Sequence, residues 1–424
     1  MVTRARTALV SVASALILTS VLAAPATATT GWLDPTFSGN GWVRLPPFID
    51  ERPEGFVVAA GPSGRLMIGA QVGGESVSWD YALVLQSNGS VLPTFNGGAW
   101  RLFSSSHDAS SLAGFFATAG AGVVGVPGQG EHNVLPLAEL DATGALVRRQ
   151  GVVFDDFIAL TANVVRLPGG SLRTCSTVNV DPVPEHGLLI GFTSTFAPDP
   201  AVGPSGQRDL ESSDCNVIGA DTAGHLYLAT RVFRGAADNV IDVMRTTTSG
   251  VVDEAWSGDG HAVIAAPGLG INIPDSGGVG TAASPILAHT DGSLFVAARA
   301  TRDPSAELWS AAIAKLNPAG EPDVLFHGDG LRAFGPSGGQ SRIIAMAIDP
   351  VGRPVVSVVY NYADGHTRAY LARFTTTGSF DQSFGNGGLI EQTHPAVSIA
   401  IDAQGRIVTA AWDGTSVIVA RRNG

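Results

Sequence analysis

Gly335-Pro336-Ser337-Gly338-Gly339 matches the Gly-x-Ser-x-Gly pattern that lifts a nucleophilic serine out of a sharp strand-to-helix turn. That chemistry needs the elbow. Here a glycine-rich segment runs into strand-like residues, so a flexible loop is the expected reading. Asp-Gly pairs in Ser257-Gly258-Asp259-Gly260 and His327-Gly328-Asp329-Gly330 touch on calcium chemistry but lack the alternating carboxylates of a calcium loop. They read as turns, and calcium is the one cation considered; no cofactor is otherwise expected. Asp34, Asp253, Asp323 and Asp381 recur in one local pattern and are expected to cap turn amides. The chain has no His-Glu-x-x-His, no phosphate loop and no cysteine–histidine zinc set.

Residues suited to recognition are easier to find. His107, Asp108, Glu131, His132, His186, Arg302, Asp303, Trp309, Tyr362, Asp364, His366 and Asp413 fall in connections of varying length. A sugar or peptide site wants an aromatic platform flanked by carboxylates and amides, and Trp79, Trp309, Tyr362 and Trp412 are the rings on offer. Each of these rings could equally pack a strand edge. The binding set carried forward is Trp79, His107, Asp108, His132, Trp309, Tyr362, His366 and Trp412, with no catalytic or metal-ligating residue assigned.

The elements that must position these groups repeat. Gly64, Gly122, Gly170, Gly224, Gly292, Gly352 and Gly405 each join two short apolar runs, about every 55 residues. In the sixth unit Arg342–Ile348 and Arg353–Tyr360 flank the turn, and a third run, Thr367–Thr375, follows a variable loop. A second tight turn, Thr377-Gly378, leads into a fourth segment, Ser379–Gln392. Runs of Val, Ile, Leu, Phe and Thr bounded by Gly, Pro, Asp and Asn are strand chemistry, so each unit reads as a four-stranded antiparallel sheet.

The fourth segment is the most specific signature. It recurs at Leu33–Val43, Leu92–Trp100, Val252–Val263, Pro322–Leu331 and Phe380–Leu389, with Phe37, Phe95, Trp256, Phe326 or Phe384 before a glycine-rich kink. It is degraded in the second and third units, at Ala145–Phe154 and within Thr195–Arg208. The aromatic is expected to plug the gap between adjacent sheets. This Leu-Asp-x-x-Phe-Gly-x-x-Gly core with a period near 60 resembles the delta-60 repeat family of exported bacterial proteins, and the resemblance spans nearly the whole chain after the leader. It implies a β-propeller and carries no assigned activity.

First strands begin near Gly55, Leu112, Ala162, Cys215, Ala282, Ser341 and Val397, which makes seven units, with six (if the eroded third is not a blade) or eight as the alternatives. The chain ends after a third strand, Thr415–Arg422, while Trp32–Leu45 is a fourth segment with no unit before it. Joined head to tail the two read like one unit. The expected fold is therefore all-β, a single seven-bladed propeller over 29–424 whose last blade is completed by residues 32–45. Variable connections then share one face, with long examples at Leu102–Ser111, Val178–Glu185, Ala265–Gly280, Thr301–Leu308 and Tyr360–Thr367, and ligands are expected there.

Residues 1–28 read as an export signal, with Arg4 and Arg6, an apolar run from Ala8 to Ala24 and the small residues Ala26-Thr27-Ala28. No second spanning segment follows, so a secreted or cell-envelope location without membrane insertion is expected. Formal charge is -12, and losing Arg4 and Arg6 makes it two units more negative; Lys315 is the sole lysine. An acidic surface without a basic stripe argues against nucleic acid as partner. Cys175 and Cys215 fall in neighbouring units, and a disulfide fits an exported chain, with two buried free thiols as the alternative. The functional expectation is a monomeric binding scaffold for a protein or glycan; the alternative is a secreted hydrolase or lyase with its site at the loop-face mouth of the channel.

Overall fold

The computed structural model describes residues 31–48, 53–74, 77–106, 112–120, 122–127, 134–153, 158–159, 163–178, 186–210, 215–232, 239–266, 269–273, 285–301 and 308–424. Residues 1–28, expected to be an export signal, lie outside these residues, as do His107, Asp108, Glu131, His132, Arg302 and Asp303. The described chain forms seven antiparallel sheets, each ordered from its first strand to its fourth. They are blades 1 (53–106), 2 (112–153), 3 (158–209), 4 (217–264), 5 (270–334), 6 (340–392) and 7 (396–422 with 42–44). Successive blades pack face to face, and the first strand of blade 7 meets that of blade 1, so the seven sheets make a closed β-propeller.

Burial explains the strand types. Second strands have a neighbouring blade on both faces, so Pro354–Asn361 is buried at every residue except the last and reads as a continuous apolar run. In blades 3 and 5 the first strand is interrupted, and both fragments pair with the second strand. The segment expected as a long loop, Ala265–Gly280, thus contains a strand, Gly270–Asn272, whose Ile271 is fully buried. Its alternation is too short to register as a strand by pattern alone.

The fourth-segment signature turns out to be a joint between blades. Phe37, Phe95, Phe326 and Phe384 are wholly buried and Trp256 nearly so. Each packs on the glycine of the third-to-fourth turn in the next blade: Phe37 on Gly89, Phe95 on Gly144, Trp256 on Gly320 and Phe326 on Gly378. The residue after the aromatic adopts a left-handed backbone (φ 54 at Ser38, 47 at Asn96, 56 at Ser257, 59 at His327). That turn aims its amide at a carbonyl beside the packed glycine. Ser38 N donates to Asn88 O at 2.6 Å, Asn96 to Thr143 at 2.8 Å, Ser257 to Ala319 at 2.8 Å and His327 to Thr377 at 2.9 Å.

The aspartates of the signature do two jobs. One oxygen caps a turn amide as expected, Asp34 Oδ1 accepting from Thr36 N at 2.9 Å and Asp381 Oδ1 from Ser383 N at 3.0 Å. The other oxygen receives a cation from the third strand: Arg421 on Asp34 at 2.8 Å, Arg373 on Asp381 at 2.9 Å, Arg245 on Asp253 at 2.7 Å and Lys315 on Asp323 at 2.8 Å. Arg421 and Arg373 also lie over the rings of Phe37 and Phe384, at 4.8 and 4.6 Å. Burial alone would raise the carboxyls of Asp34 and Asp381. Hydrogen bonds from Thr36 and Ser383, together with the guanidinium groups, overcome this and hold both below the usual carboxylate range.

Where a blade drops one partner it changes the other. Blade 1 has buried Val84 and Leu92 at the two positions. Blade 2 reverses the sense, with Glu139 meeting Arg148 at 3.0 Å. In blade 3 a glycine, Gly191, stands at the cation position, and Arg173 directly opposite on the second strand supplies the guanidinium to Asp199 at 2.6 Å. A buried charge left alone is costly, so the pair is kept or lost together.

Closure follows the same rules across the chain ends. Trp42–Arg44 pairs with Ile418–Ala420 as the fourth strand of blade 7. Gly31 N donates to Asn423 O at 2.8 Å and Asn423 N to Trp32 O at 3.0 Å. The same two bonds close the turn at Thr375–Ser379 in blade 6. Gly31 (φ 84) packs on Phe384 just as the other turn glycines take their aromatic.

Cys175 and Cys215 are disulfide-bonded with Cα atoms 5.9 Å apart, tying the second strand of blade 3 to the entry of blade 4. Both are fully buried among Leu167, Leu189, Val202 and Leu226. Full reduction is expected to lower stability by about 4 kcal/mol, the chain-entropy value for a loop closed over 40 residues. Thermal melts with and without a strong reductant read this directly, and coincident melts would show that the bridge contributes nothing.

Candidate functional site

Tight first-to-second and third-to-fourth turns share one face, here the turn face; the remaining connections share the loop face. On the loop face, blade 6 carries an aromatic cluster built by its second-to-third connection. Tyr360 ends the buried second strand, and Tyr362 follows it into a turn closed by Tyr362 N donating to His366 O at 2.9 Å and Gly365 N to Tyr362 O at 2.9 Å. The turn folds His366 back onto Tyr362, ring centroids 4.2 Å apart and 11° from parallel. Asp364 caps the turn and takes Nδ1 of His366. Tyr370, on the adjacent third strand, shares a hydroxyl–hydroxyl bond of 3.1 Å with Tyr362, and its ring lies 5.0 Å from that of Tyr360. Arg368 and Glu391, paired at 3.1 Å, flank the cluster in solvent.

The electrostatics keep Tyr360 and Tyr362 neutral. Burial, then the neighbouring phenols, push Tyr360 up to about 12, and the hydrogen bond from Tyr370 pushes Tyr362 up to about 12. Asp364 is held low by the backbone amide of His366. The cluster therefore offers ring faces, neutral hydroxyls and a flanking ion pair, which suits recognition of a polar ligand with C–H faces.

The other aromatics on offer are placed differently. Trp309 lies beneath the Arg299 guanidinium at 4.7 Å. Trp79 sits half-buried within the third strand of blade 1, between Val72 and Ser105. Trp412 is half-buried at the end of the second strand of blade 7, packed on the core that contains Leu45 and Val417. Tyr362 and His366 are thus the members of the expected set that the fold brings together. Tyr370, which completes the cluster, was missed because it reads as an ordinary strand residue; its spacing of eight from Tyr362 is the only signal.

Asp413 caps the blade 7 connection and meets Arg44 at 2.5 Å. Burial opposes its charge, yet the amides of Thr415 and Ser416 and the Arg44 guanidinium hold it at about 2. His186 approaches Asp209 at 3.5 Å. The Gly335–Gly339 segment is an exposed turn leading into the strand Gln340–Ile348, with no helix after Ser337. Asp259 and Asp329 cap the amides of His261 and Leu331, each at 2.9 Å, so both Asp-Gly motifs act as turns. Among the described residues no group of three or more His, Cys, Asp or Glu converges as a metal site, and no helix is long and apolar enough to cross a membrane.

A second feature lies at the turn-face end of the channel, where the ends of first strands line an open cavity of about 610 Å³. Ligands were expected only on the opposite face.

No family model and no curated protein matches the chain. Among solved structures it is similar to puromycin hydrolase (TM-score 0.49, 13% identity), covering 91% of this chain and 53% of that one, so it spans about half of the hydrolase. It is also similar to an ulvan lyase of a new polysaccharide lyase family (TM-score 0.47, 9% identity, 89% and 95% covered). A protein of unknown function from Dyadobacter fermentans matches as well (TM-score 0.43, 9% identity, 90% and 98% covered).

Proposed function

We propose that this propeller is an exported recognition scaffold of the delta-60 repeat type that binds a glycan through the loop face of blade 6. The observation that carries the reading is the Tyr362–His366–Tyr370 cluster: rings and neutral hydroxyls gathered by one short connection on a rigid blade, with charges on either side. Sugars present C–H faces to stack on rings and hydroxyls to exchange hydrogen bonds with phenols and carboxylates. The carboxylates nearby are already held by arginine or by turn amides, which favours holding a ligand over transforming it.

A glycan array probed with the full mature chain tests this. Retention of at least one glycan class is expected, with Tyr362→Ala and His366→Ala each weakening it about tenfold, the loss of one good contact. Melting temperatures should stay near wild type, because His366 is exposed and Tyr362 lies at the rim. Undiminished retention by both variants, or no retained glycan at all, would overturn the proposal. Release of shortened sugars during the assay would instead establish the hydrolase or lyase alternative.

A further inference from the structure

The turn-face cavity is independent of the glycan reading and opens on the opposite end of the molecule. Its wall comes from the first strands of blades 1 to 5, where each strand meets its tight turn: Ala60, Ala117, Leu167, Asp221 and His289 mark the five ends. At about 610 Å³ it falls within the range of small-molecule sites.

The charges on this wall are unequal in their commitments. Asp221 is fully engaged, accepting from His225 N at 2.8 Å, facing His225 Nδ1 at 2.8 Å and accepting from Tyr227 Oη at 3.2 Å. His289 faces Asp291 at 3.0 Å, and its Nε2 lies 3.4 Å from Pro350 O of blade 6. Arg166 is different. Its Nη1 donates to Ala117 O at 3.0 Å, which anchors the side chain against blade 2. Its Nε is buried without an acceptor, and no carboxylate lies within ion-pair distance among the described residues. A half-buried guanidinium with one unpartnered donor, lining a cavity together with Phe116 and Ala288, calls for a planar anion on an apolar body.

We propose that the turn-face end of the channel binds a small carboxylate with an apolar body, its carboxylate on Arg166 and its body against Phe116, Leu167 and Ala288. A single cation and a largely aliphatic and aromatic wall match a monocarboxylate better than a phosphate, whose greater charge would want several donors.

Ligand-observed NMR and calorimetry on the mature chain, with phenylacetate and its neutral isostere phenylacetamide, test the assignment. Saturable binding of phenylacetate is expected, with the amide about tenfold weaker. Arg166→Met should weaken phenylacetate to the level of the amide, and Arg166→Lys should retain part of it. Ala288→Leu keeps the guanidinium and narrows the cavity from the blade 5 side, and should weaken acid and amide alike, so the proposal stays testable should Arg166→Met fail to fold. Tyr362→Ala should leave phenylacetate binding unchanged. Absence of saturable binding at millimolar phenylacetate, equal affinity for acid and amide, or wild-type binding by a folded Ala288→Leu would overturn it.

Discussion

A chain starting at residue 46 is expected to lose cooperative folding, or to melt at least about 15 °C below one starting at residue 31. The segment buries Phe37 and Leu45 almost completely, and losing buried side chains of these types costs about 2–5 kcal/mol each. It also carries Asp34, so its removal leaves the Arg421 guanidinium, 2% exposed, without its carboxylate. Orphaning one half of a buried pair costs about 3–5 kcal/mol. Together these approach the whole stability of an ordinary domain, about 5–15 kcal/mol. Circular dichroism melts and amide NMR dispersion read the outcome, and a synthetic peptide of residues 31–45 added in trans should restore the transition. A truncated chain melting within a few degrees of the intact one would show that closure is not a source of stability.

Asp80→Asn is expected to stabilise the protein, increasingly so as the pH rises from about 4 to 8. Asp80 is wholly buried within blade 1, in register with Gln71 on the second strand and Ser104 on the fourth. Burial pushes its carboxyl up to about 8, against the weaker pulls of the Gln71 amide and the Arg149 charge. In the unfolded chain the same group ionises near 3.8. Between these values the folded protein holds a proton that the unfolded chain has released, so stability is full below about 4 and declines until about 8. Four units correspond to a loss on the order of 5 kcal/mol. Asparagine keeps the shape, carries no charge and removes the slope. Asp34 and Asp381 act in the opposite sense: their lowered carboxyls contribute above about 4 and lose that contribution as the pH falls further. Urea midpoints at pH 5 and pH 8.5 test the first claim. A wild-type protein whose midpoint does not fall between them, or an Asp80→Asn variant with the same pH slope, would contradict it.

The ring was legible in the sequence because its joints are punctuation. Turn glycines and the aromatic before each kink are residues whose conformations or volumes few others supply, so blade number, strand order and the splice between the chain ends all followed. The ionic half of the signature was not read, although it was visible: Arg245, Lys315 and Arg373 each stand eight residues before Asp253, Asp323 and Asp381. The fourth pair, Arg421 with Asp34, is divided between the two ends of the chain, which hid the spacing. Blade 3 hid it further by drawing its guanidinium from the strand opposite. Sites were harder. Tyr362 and His366 stood out as types in a loop, whereas the turn-face cavity is made of alanines, a leucine and strand ends whose meeting depends on the curvature of the ring. Arg166 looks like any strand arginine until the blades on either side are in place.

Because Gly31 and Asn423 already hold each other as a turn would, the molecule has no structural first blade. Linking Asn423 to Gly31 by a short peptide and opening the chain instead at another tight turn, such as Ser87–Gly89, should give a circular permutant with the same shape. Cargo fused at either end would hang from the turn face and leave the blade 6 cluster unobstructed on the far side.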